Sequence, residues 1–495
     1  MSTINNVLLI KINQLYKNGM TPEELYYVTS VSGGVNLTET ENIKYYCSVV
    51  KNKIIEVYGL LGLQQDLTTD NNKKGHYILE GELADQELRE KLIGLNVQDL
   101  LKGSGNSIKH ESLDILLAKT ETSLNQKLQT ASMIYSTLPE ELIEHIYQYI
   151  KSKGFIYSIQ SITNLYLSLR SKPFVIISGI SGTGKTKIVQ LFAESIGAKE
   201  DNGQFKLIPV RPDWSDSSDL IGYVDIKGDF KKGPFTEIVE RAHKNSNRPY
   251  FVLLDEMNLA RVEYYFSDVL SVLESRKKEN GEFTSSPLVQ NEHVSITLPG
   301  NLYIIGTVNM DETTHSFSKK VLDRANTIEF NEINLTNFDF IDDSQPIEAT
   351  SLTNELLEAS YIHLIDVFAS HTPLIKKVSG QLSEINAKLQ SINAQVGYRV
   401  RDEICFYMIY NEKLDLLTEK EALDFCVMQK ILPRISGSGD RVQQLLEDLY
   451  EHFTEEKYVL NQQVFEDIRY PRSAKKVVEM LRRLSEDGFT SFWIA

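Results

Sequence analysis

One stretch constrains this chain more than any other. Phe174-Val175-Ile176-Ile177 is a short, mostly β-branched apolar run, which reads as a buried parallel strand. Ser178 follows, and then Gly179, Ile180, Ser181, Gly182, Thr183, Gly184, Lys185 and Thr186, which have the glycine, four residues, Gly-Lys-Thr spacing of a phosphate-binding loop. Beyond it, Lys187 to Ile196 carries Ile188, Val189, Phe192 and Ala193 at helical spacing. Strand, glycine loop and helix are the context the motif requires. The glycines let the backbone curl so that successive N–H groups face phosphate oxygens, and the helix N-terminus adds partial positive charge. Lys185 is placed to reach the β- and γ-phosphates, and Thr186 to give its hydroxyl to Mg2+.

The remainder of an α/β parallel sheet can be traced from this point. Leu207-Ile208-Pro209-Val210, Tyr250-Phe251-Val252-Leu253-Leu254, Leu302-Tyr303-Ile304-Ile305-Gly306-Thr307 and Thr327-Ile328-Glu329-Phe330 alternate with helical stretches. The third strand runs into Asp255-Glu256. A carboxylate pair there lies at the carboxyl end of a strand, beside the loop, where open sheets bind ligands. Asp255 is expected to hold the metal, and Glu256 to orient and polarise an attacking water. Asn309, ending the fourth strand, can hydrogen-bond that water or the γ-phosphate. Arg324, in Val321-Leu322-Asp323-Arg324 before the fifth strand, is placed to serve a neighbour's γ-phosphate if subunits pack in a ring.

Composition sets the limits. At 495 residues the chain should hold two to four domains. Hydrophobic content of 41% and charged content of 24% are ordinary for a soluble protein. No apolar run reaches membrane-spanning length, and the first residues lack the form of a signal peptide, so a cytoplasmic protein without a membrane partner is expected. Cys47, Cys405 and Cys426 form no metal-ligand spacing and read as buried apolar residues in a reducing compartment. A net charge of −16 argues against general coating of nucleic acid, but leaves room for a local DNA contact.

Four segments are expected. Residues 1–112 form a small β-rich or α+β recognition domain, which could bind DNA or a protein. It carries helical spacing up to about Ser30, a hairpin turning at Lys51-Asn52, a strand at His76 to Gly81, Lys73-Lys74 in a loop and a polar run from Gly103 to Lys109. Residues 113–158 form a helical linker, 159–334 the α/β nucleotide-binding domain, and 335–495 an α-helical lid. Arg211 to Arg241 reads as a turn-rich insertion and Asn280 to His293 as a strand-poor one. Leu335 to Pro346 is an acidic connector, and Leu414 to Leu432 and Ser473 to Leu484 are amphipathic lid segments.

The order of these features resembles an AAA+ ATPase module, and more closely its McrB-type branch, near the MoxR and dynein modules. The residues that carry the resemblance are Leu254-Asp255-Glu256-Met257-Asn258-Leu259-Ala260-Arg261, Tyr303 to Asn309, Val321 to Arg324 and Asp216 to Tyr223. It covers about Ser161 to Ala495. It implies a nucleotide-driven homo-oligomer, commonly a hexameric ring. In McrB-type systems that ring works with a separate McrC-like nuclease to cut foreign DNA bearing modified bases. The nucleotide is ATP or GTP, since the loop reads phosphates and not bases. The resemblance also implies a lid arginine at the nucleotide, for which Arg399 and Arg472 are both candidates; Pro471-Arg472-Ser473 before a helix favours Arg472. One departure stands out: the branch has Met-Asn-x-x-Asp-Arg where this chain has Val308-Asn309-Met310-Asp311-Glu312-Thr313. No metal-nuclease grouping is visible, so cleavage would fall to the partner. The alternative is a MoxR-like ATPase that remodels protein clients.

Overall fold

The computed structural model describes residues 6–13, 15–17, 19–32, 43–65, 77–97, 100–101, 108–120, 139–279, 282–290, 295–310, 315–331, 347–361, 363–459 and 467–494. The chain divides into two compact units, Met1–Ser136 and Thr137–Ala495.

The first unit is built on a mixed five-stranded sheet of order β4-β3-β2-β1-β5. In chain order its elements are β1 (Asn6–Lys11), α1 (Pro22–Ser32), β2 (Ile43–Val50), β3 (Lys53–Gln65), β4 (Tyr77–Leu83), α2 (Gln86–Leu92) and β5 (Ile108–Ser112). β1 and β2 are parallel, and the other pairings are antiparallel. The expected helical stretch up to Ser30 is corrected: its first part is β1, and only Pro22–Ser32 is helical. Val7 and Leu9 enter one core and Leu8 and Ile10 the other, all 0% exposed. A strand covered on both faces has no polar alternation to distinguish it from a buried helix. The hairpin turns at Lys51-Asn52, with φ of 47° and 65°. Two left-handed residues make the primed turn that matches strand twist. The strand expected from His76 is β4, with His76 itself outside the described residues. So are Lys73-Lys74 and 102–107.

The second unit begins with α3 (Pro139–Ser152) and α4 (Ile159–Ser171). Its sheet has the order β16-β6-β15-β10-β7, and every pairing is parallel. The strands are β6 (Phe174–Gly179), β7 (Phe205–Pro209), β10 (Tyr250–Asp255), β15 (Leu302–Asn309) and β16 (Asn326–Glu329). β6 is buried along its whole length, which is why its sequence is continuously apolar. Phe174 and Ile176 pack into a core shared with Phe235, Phe266 and Trp214. On the sheet, Phe251 touches Phe192 edge-on, with ring centroids 6.3 Å apart. Between β6 and β10 lie α5 (Lys185–Ser195), the β8–β9 hairpin (Gly222–Val224 and Phe230–Lys232) and α6 (Pro234–Lys244); α7 (Ser267–Glu274) follows β10. The segment read as strand-poor is corrected as well. Two small hairpins, β11–β12 (Lys277–Glu279, Glu282–Thr284) and β13–β14 (Val289–Gln290, Ser295–Ile296), overlap its two ends, with β12 and β13 inside it. Two- and three-residue ladders hold too few apolar residues to leave a period-2 signal.

The lid consists of α8 (Thr372–Leu389), α9 (Tyr398–Leu414), α10 (Glu419–Lys430), α11 (Asp440–Thr454) and α12 (Pro471–Asp487). The segment expected to be continuous from Leu414 to Leu432 is interrupted. Asp415 leaves α9 in the left-handed region, and Thr418 starts α10 through a reciprocal capping box with Glu421. Buried bonds join lid to core. Ser168 donates to Gln429 at 2.9 Å, Tyr407 to Asn164 at 2.8 Å, and Lys430 to the Ala325 carbonyl at 2.7 Å. The acidic connector lies outside the described residues, and among those described no helix is long and apolar enough to cross a membrane.

Candidate active site

The glycine loop joins β6 to α5. Gly182 and Gly184 have φ of 84° and 86°, a region that side chains rarely adopt. A Cβ on Gly184 would lie 2.5 Å from the Tyr157 hydroxyl, and one on Gly179 would lie 2.3 Å from the Phe330 carbonyl. The Tyr157 hydroxyl donates to the Gly184 carbonyl at 2.9 Å, and burial pushes its pKa up to about 12, which keeps it a donor. Asn331 accepts from the Ile180 amide at 2.9 Å. Lys185 Nζ donates to the Gly179 and Ile180 carbonyls, at 2.9 and 2.7 Å. The loop is thus held by its own lysine and by residues from outside it.

Beside the loop, the strand ends of β10 and β15 form a connected set of polar groups. Parallel pairing sets Leu254 opposite Gly306, so the next residues, Asp255 and Thr307, reach the sheet edge together. Asp255 Oδ1 accepts from Thr186 at 2.8 Å and from Thr307 at 2.7 Å. The Thr307 hydroxyl accepts in turn from the Glu256 amide at 3.0 Å. Asn309 Nδ2 donates to Glu256 Oε1 at 2.9 Å, and Asn258 Nδ2 to the Asn309 carbonyl at 3.3 Å. Glu256 is left-handed, with φ 54°. That conformation costs a non-glycine residue about 1–2 kcal/mol, and its amide and carboxylate bonds hold it there.

A hydroxyl and a carboxylate oxygen converging beside a phosphate cradle suit a small, hard divalent cation that keeps water and phosphate as its other ligands. Thr186 and Asp255 are the residues that would hold it. Among the described residues no cluster of three His, Cys, Asp or Glu offers a site made of protein ligands alone.

The three sequence-predicted arginines separate. Arg472 lines a cavity of about 610 Å³ shared by Tyr157, Asn331, Phe425 and Lys475. Tyr157 and Asn331 both bond the loop, so the cavity adjoins it. Arg472 is fixed there from two directions. Asp424 accepts the Arg472 and Ser473 amides, at 2.8 and 3.0 Å, capping α12, and the guanidinium lies 4.3 Å above the Phe425 ring. Arg324 and Arg399 lie elsewhere. Asn326 pairs with Val175, which puts Arg324 level with Pro173 at the opposite end of β6. From Pro173 to Gly179 is roughly 20 Å at about 3.3 Å per residue, farther than a guanidinium reaches. Arg399 is not brought to the loop of its own chain. It joins Arg324, both bonding Glu274 at 2.5 Å. Glu312 and Thr313 lie outside the described residues.

Sequence reasoning missed Thr307, Tyr157 and Asn331. Thr307 and Asn331 follow from strand register once the strand order is known; Tyr157 had no signal of its own.

Comparison with known proteins adds four findings. Residues 174–325 match the AAA domain (dynein-related subfamily). Residues 346–489, the lid, match a family described as a domain of unknown function (DUF8727). The chain is similar to the type IV methyl-directed restriction enzyme EcoKMcrB subunit of Escherichia coli (strain K12), at 26% identity over 153 residues, 30% of this chain. The match spans a third of that relative, 33% of its length. A solved structure from Cytophaga hutchinsonii ATCC 33406, described as an ATPase, shares 17% identity with a TM-score of 0.37, covering 62% of this chain and 90% of that one.

Proposed function

The chain carries an AAA+ ATPase domain, and from that premise we propose that it is a ring-forming nucleoside triphosphatase, the motor subunit of a McrBC-like restriction system acting on modified DNA with a separate nuclease. The observation that carries the hydrolytic part is the continuous bonding of Thr186, Asp255, Thr307, Glu256 and Asn309 beside the glycine loop.

In this reading the loop amides and Lys185 bind the β- and γ-phosphates of ATP or GTP. Lys185 exchanges its bonds to the Gly179 and Ile180 carbonyls for phosphate oxygens. Glu256 orients a water in line with the γ-phosphate and polarises it, and Asn309 fixes the carboxylate while it does so. Mg2+ held through Thr186 and Asp255 would neutralise charge on the phosphates. The base lies in the cavity lined by Tyr157 and Arg472. Arg324 and Arg399, at the far end of the sheet, serve the nucleotide of a neighbouring copy. Residues 1–112 are the recognition domain.

The partner part rests on the likeness to the McrB subunit, and its test is direct. Turnover is measured with DNA, with a purified McrC-type nuclease, and with unfolded protein. Stimulation by the nuclease and DNA supports the proposal, whereas stimulation by protein alone moves the chain to client remodelling. For the ring, Arg324→Ala subunits are mixed with Lys185→Ala subunits. Each leaves one half of a shared site intact, so mixed interfaces should regain activity that neither variant has alone. No recovery argues against a site shared between copies.

A further inference from the structure

Glu274 is the last residue of α7. Its Oε1 accepts from Arg324 Nη2 and from Arg399 Nη2, each at 2.5 Å. Arg324 belongs to the core and Arg399 begins the lid helix α9, so one carboxylate oxygen joins two cations from separate parts of the unit. Burial pushes the Glu274 carboxyl up, but the two guanidinium bonds outweigh it and hold the group below the usual carboxylate range. A single negative charge set against two positive ones leaves the cluster net cationic. Arg324 keeps one further bond, from Nη1 to the Lys320 carbonyl, and its Nε is buried with no partner among the described residues.

The chain on either side of Arg324 is also held by the lid. Arg434 pairs with Asp323, and Lys430 donates to the Ala325 carbonyl. The lining of the adjacent cavity, of about 240 Å³, mixes core and lid residues, among them Pro173, Arg276 and Asp402. Of the other carboxylates lining that cavity, Asp402 pairs with Arg401 and Glu403 with Lys172 and Lys430, so among the described residues Glu274 is the anion that bonds the two arginines.

We infer that Glu274 is a positioning residue, which gathers Arg324 and Arg399 into one cationic site for the terminal phosphate of a nucleotide held by a second copy of this chain. The inference rests on the ring proposed above. Without Glu274, two like charges repel at close range and the guanidinia separate. With it, they converge on one point, as a trigonal phosphoryl group with charge spread over its oxygens requires. Because the two arginines come from core and lid, the site exists only while those parts keep this arrangement. A lid movement in one subunit would therefore be felt at its neighbour's phosphate.

The test uses the full chain with Glu274→Gln, which keeps the shape and removes the charge. Expected is a fall in kcat of about 10- to 100-fold, the scale of a misplaced catalytic group, with unchanged affinity for a non-hydrolysable nucleotide. Mixing with Lys185→Ala should restore activity, because the Lys185→Ala copy supplies an intact arginine pair to the Glu274→Gln copy's loop. Arg324→Ala mixed with Lys185→Ala is run beside it. Recovery in that control with full kcat in Glu274→Gln overturns the inference and leaves the ring standing. Recovery in the control but none in the Glu274→Gln mixture means Glu274 supports folding only, which also overturns it. Failure of both mixtures removes the ring and this inference together. Should Glu274→Gln not fold, Arg399→Ala is read by the same mixture, and an unchanged kcat there overturns the pairing.

Discussion

The two ends of the central sheet are built on opposite principles. At the carboxyl end, the charged groups are answered within the chain, Lys185 by loop carbonyls, Asp255 by two hydroxyls and Glu256 by Thr307 and Asn309, and the Asn258 Oδ1 is left as a buried acceptor with no partner among the described residues. At the amino end, two arginines share one carboxylate, and the Arg324 Nε has no partner among the described residues. On the proposed reading, the first end holds the groups that bind the nucleotide's phosphates. The second holds surplus positive charge. A net-cationic cluster roughly 20 Å from its own phosphate loop makes sense if its counterpart belongs to another molecule.

Substitutions at the two ends should therefore fail in different ways, and that contrast can be broken. The largest effect is expected from Lys185→Ala, which removes a charged phosphate contact and with it both nucleotide affinity and turnover. Affinity should fall at least about 100-fold, from one or two charge-assisted bonds, as titration calorimetry would read. Undiminished binding would end the assignment of the carboxyl end. Arg324→Ala should bind nucleotide normally and lose about 10³-fold in kcat. A raised Kd instead would place Arg324 on its own nucleotide and erase the contrast. Glu256→Gln should also bind, with hydrolysis reduced about 10²-fold or more, and chelation of Mg2+ should give a similar loss in the wild-type chain. Thr307→Val sharpens the comparison within the first end. It leaves the Glu256 amide unanswered and strips one bond from Asp255, so a loss of about 1–3 kcal/mol in unfolding free energy is expected with a modest fall in kcat. The smallest effect is expected from Arg472→Ala, a several-fold rise in KM with kcat little changed, since its cavity lies beside the loop and away from the strand-end carboxylates.

The legibility of the molecule followed the same division. The carboxyl end could be read because its chemistry is local: Gly179 to Thr186 and Asp255-Glu256 are contiguous, and the strands before them are apolar throughout. The lid arginines could not be resolved. Arg399 and Arg472 each stand at a helix start, and only packing decides that one adjoins the loop while the other meets Glu274. Glu274 itself was invisible, because a glutamate ending an amphipathic helix looks like any solvated charge. In the N-terminal unit the hairpin at Lys51-Asn52 was legible from the polar pair between two β-rich runs. β1 was not, because Val7 to Ile10 are apolar on both faces, and a pattern without alternation carries no period.

The left-handed backbone at Glu256 has an evolutionary consequence. Glycine is the residue best suited to φ 54°, and substituting it would relieve about 1–2 kcal/mol of local strain. Drift toward a tougher protein would favour that exchange, set against only the side-chain bond from Asn309. On the proposed role it would also silence hydrolysis. Position 256 is thus a place where robustness and turnover pull apart, and a catalytically dead Glu256→Gly chain that melts no lower than its parent would be the signature of that conflict.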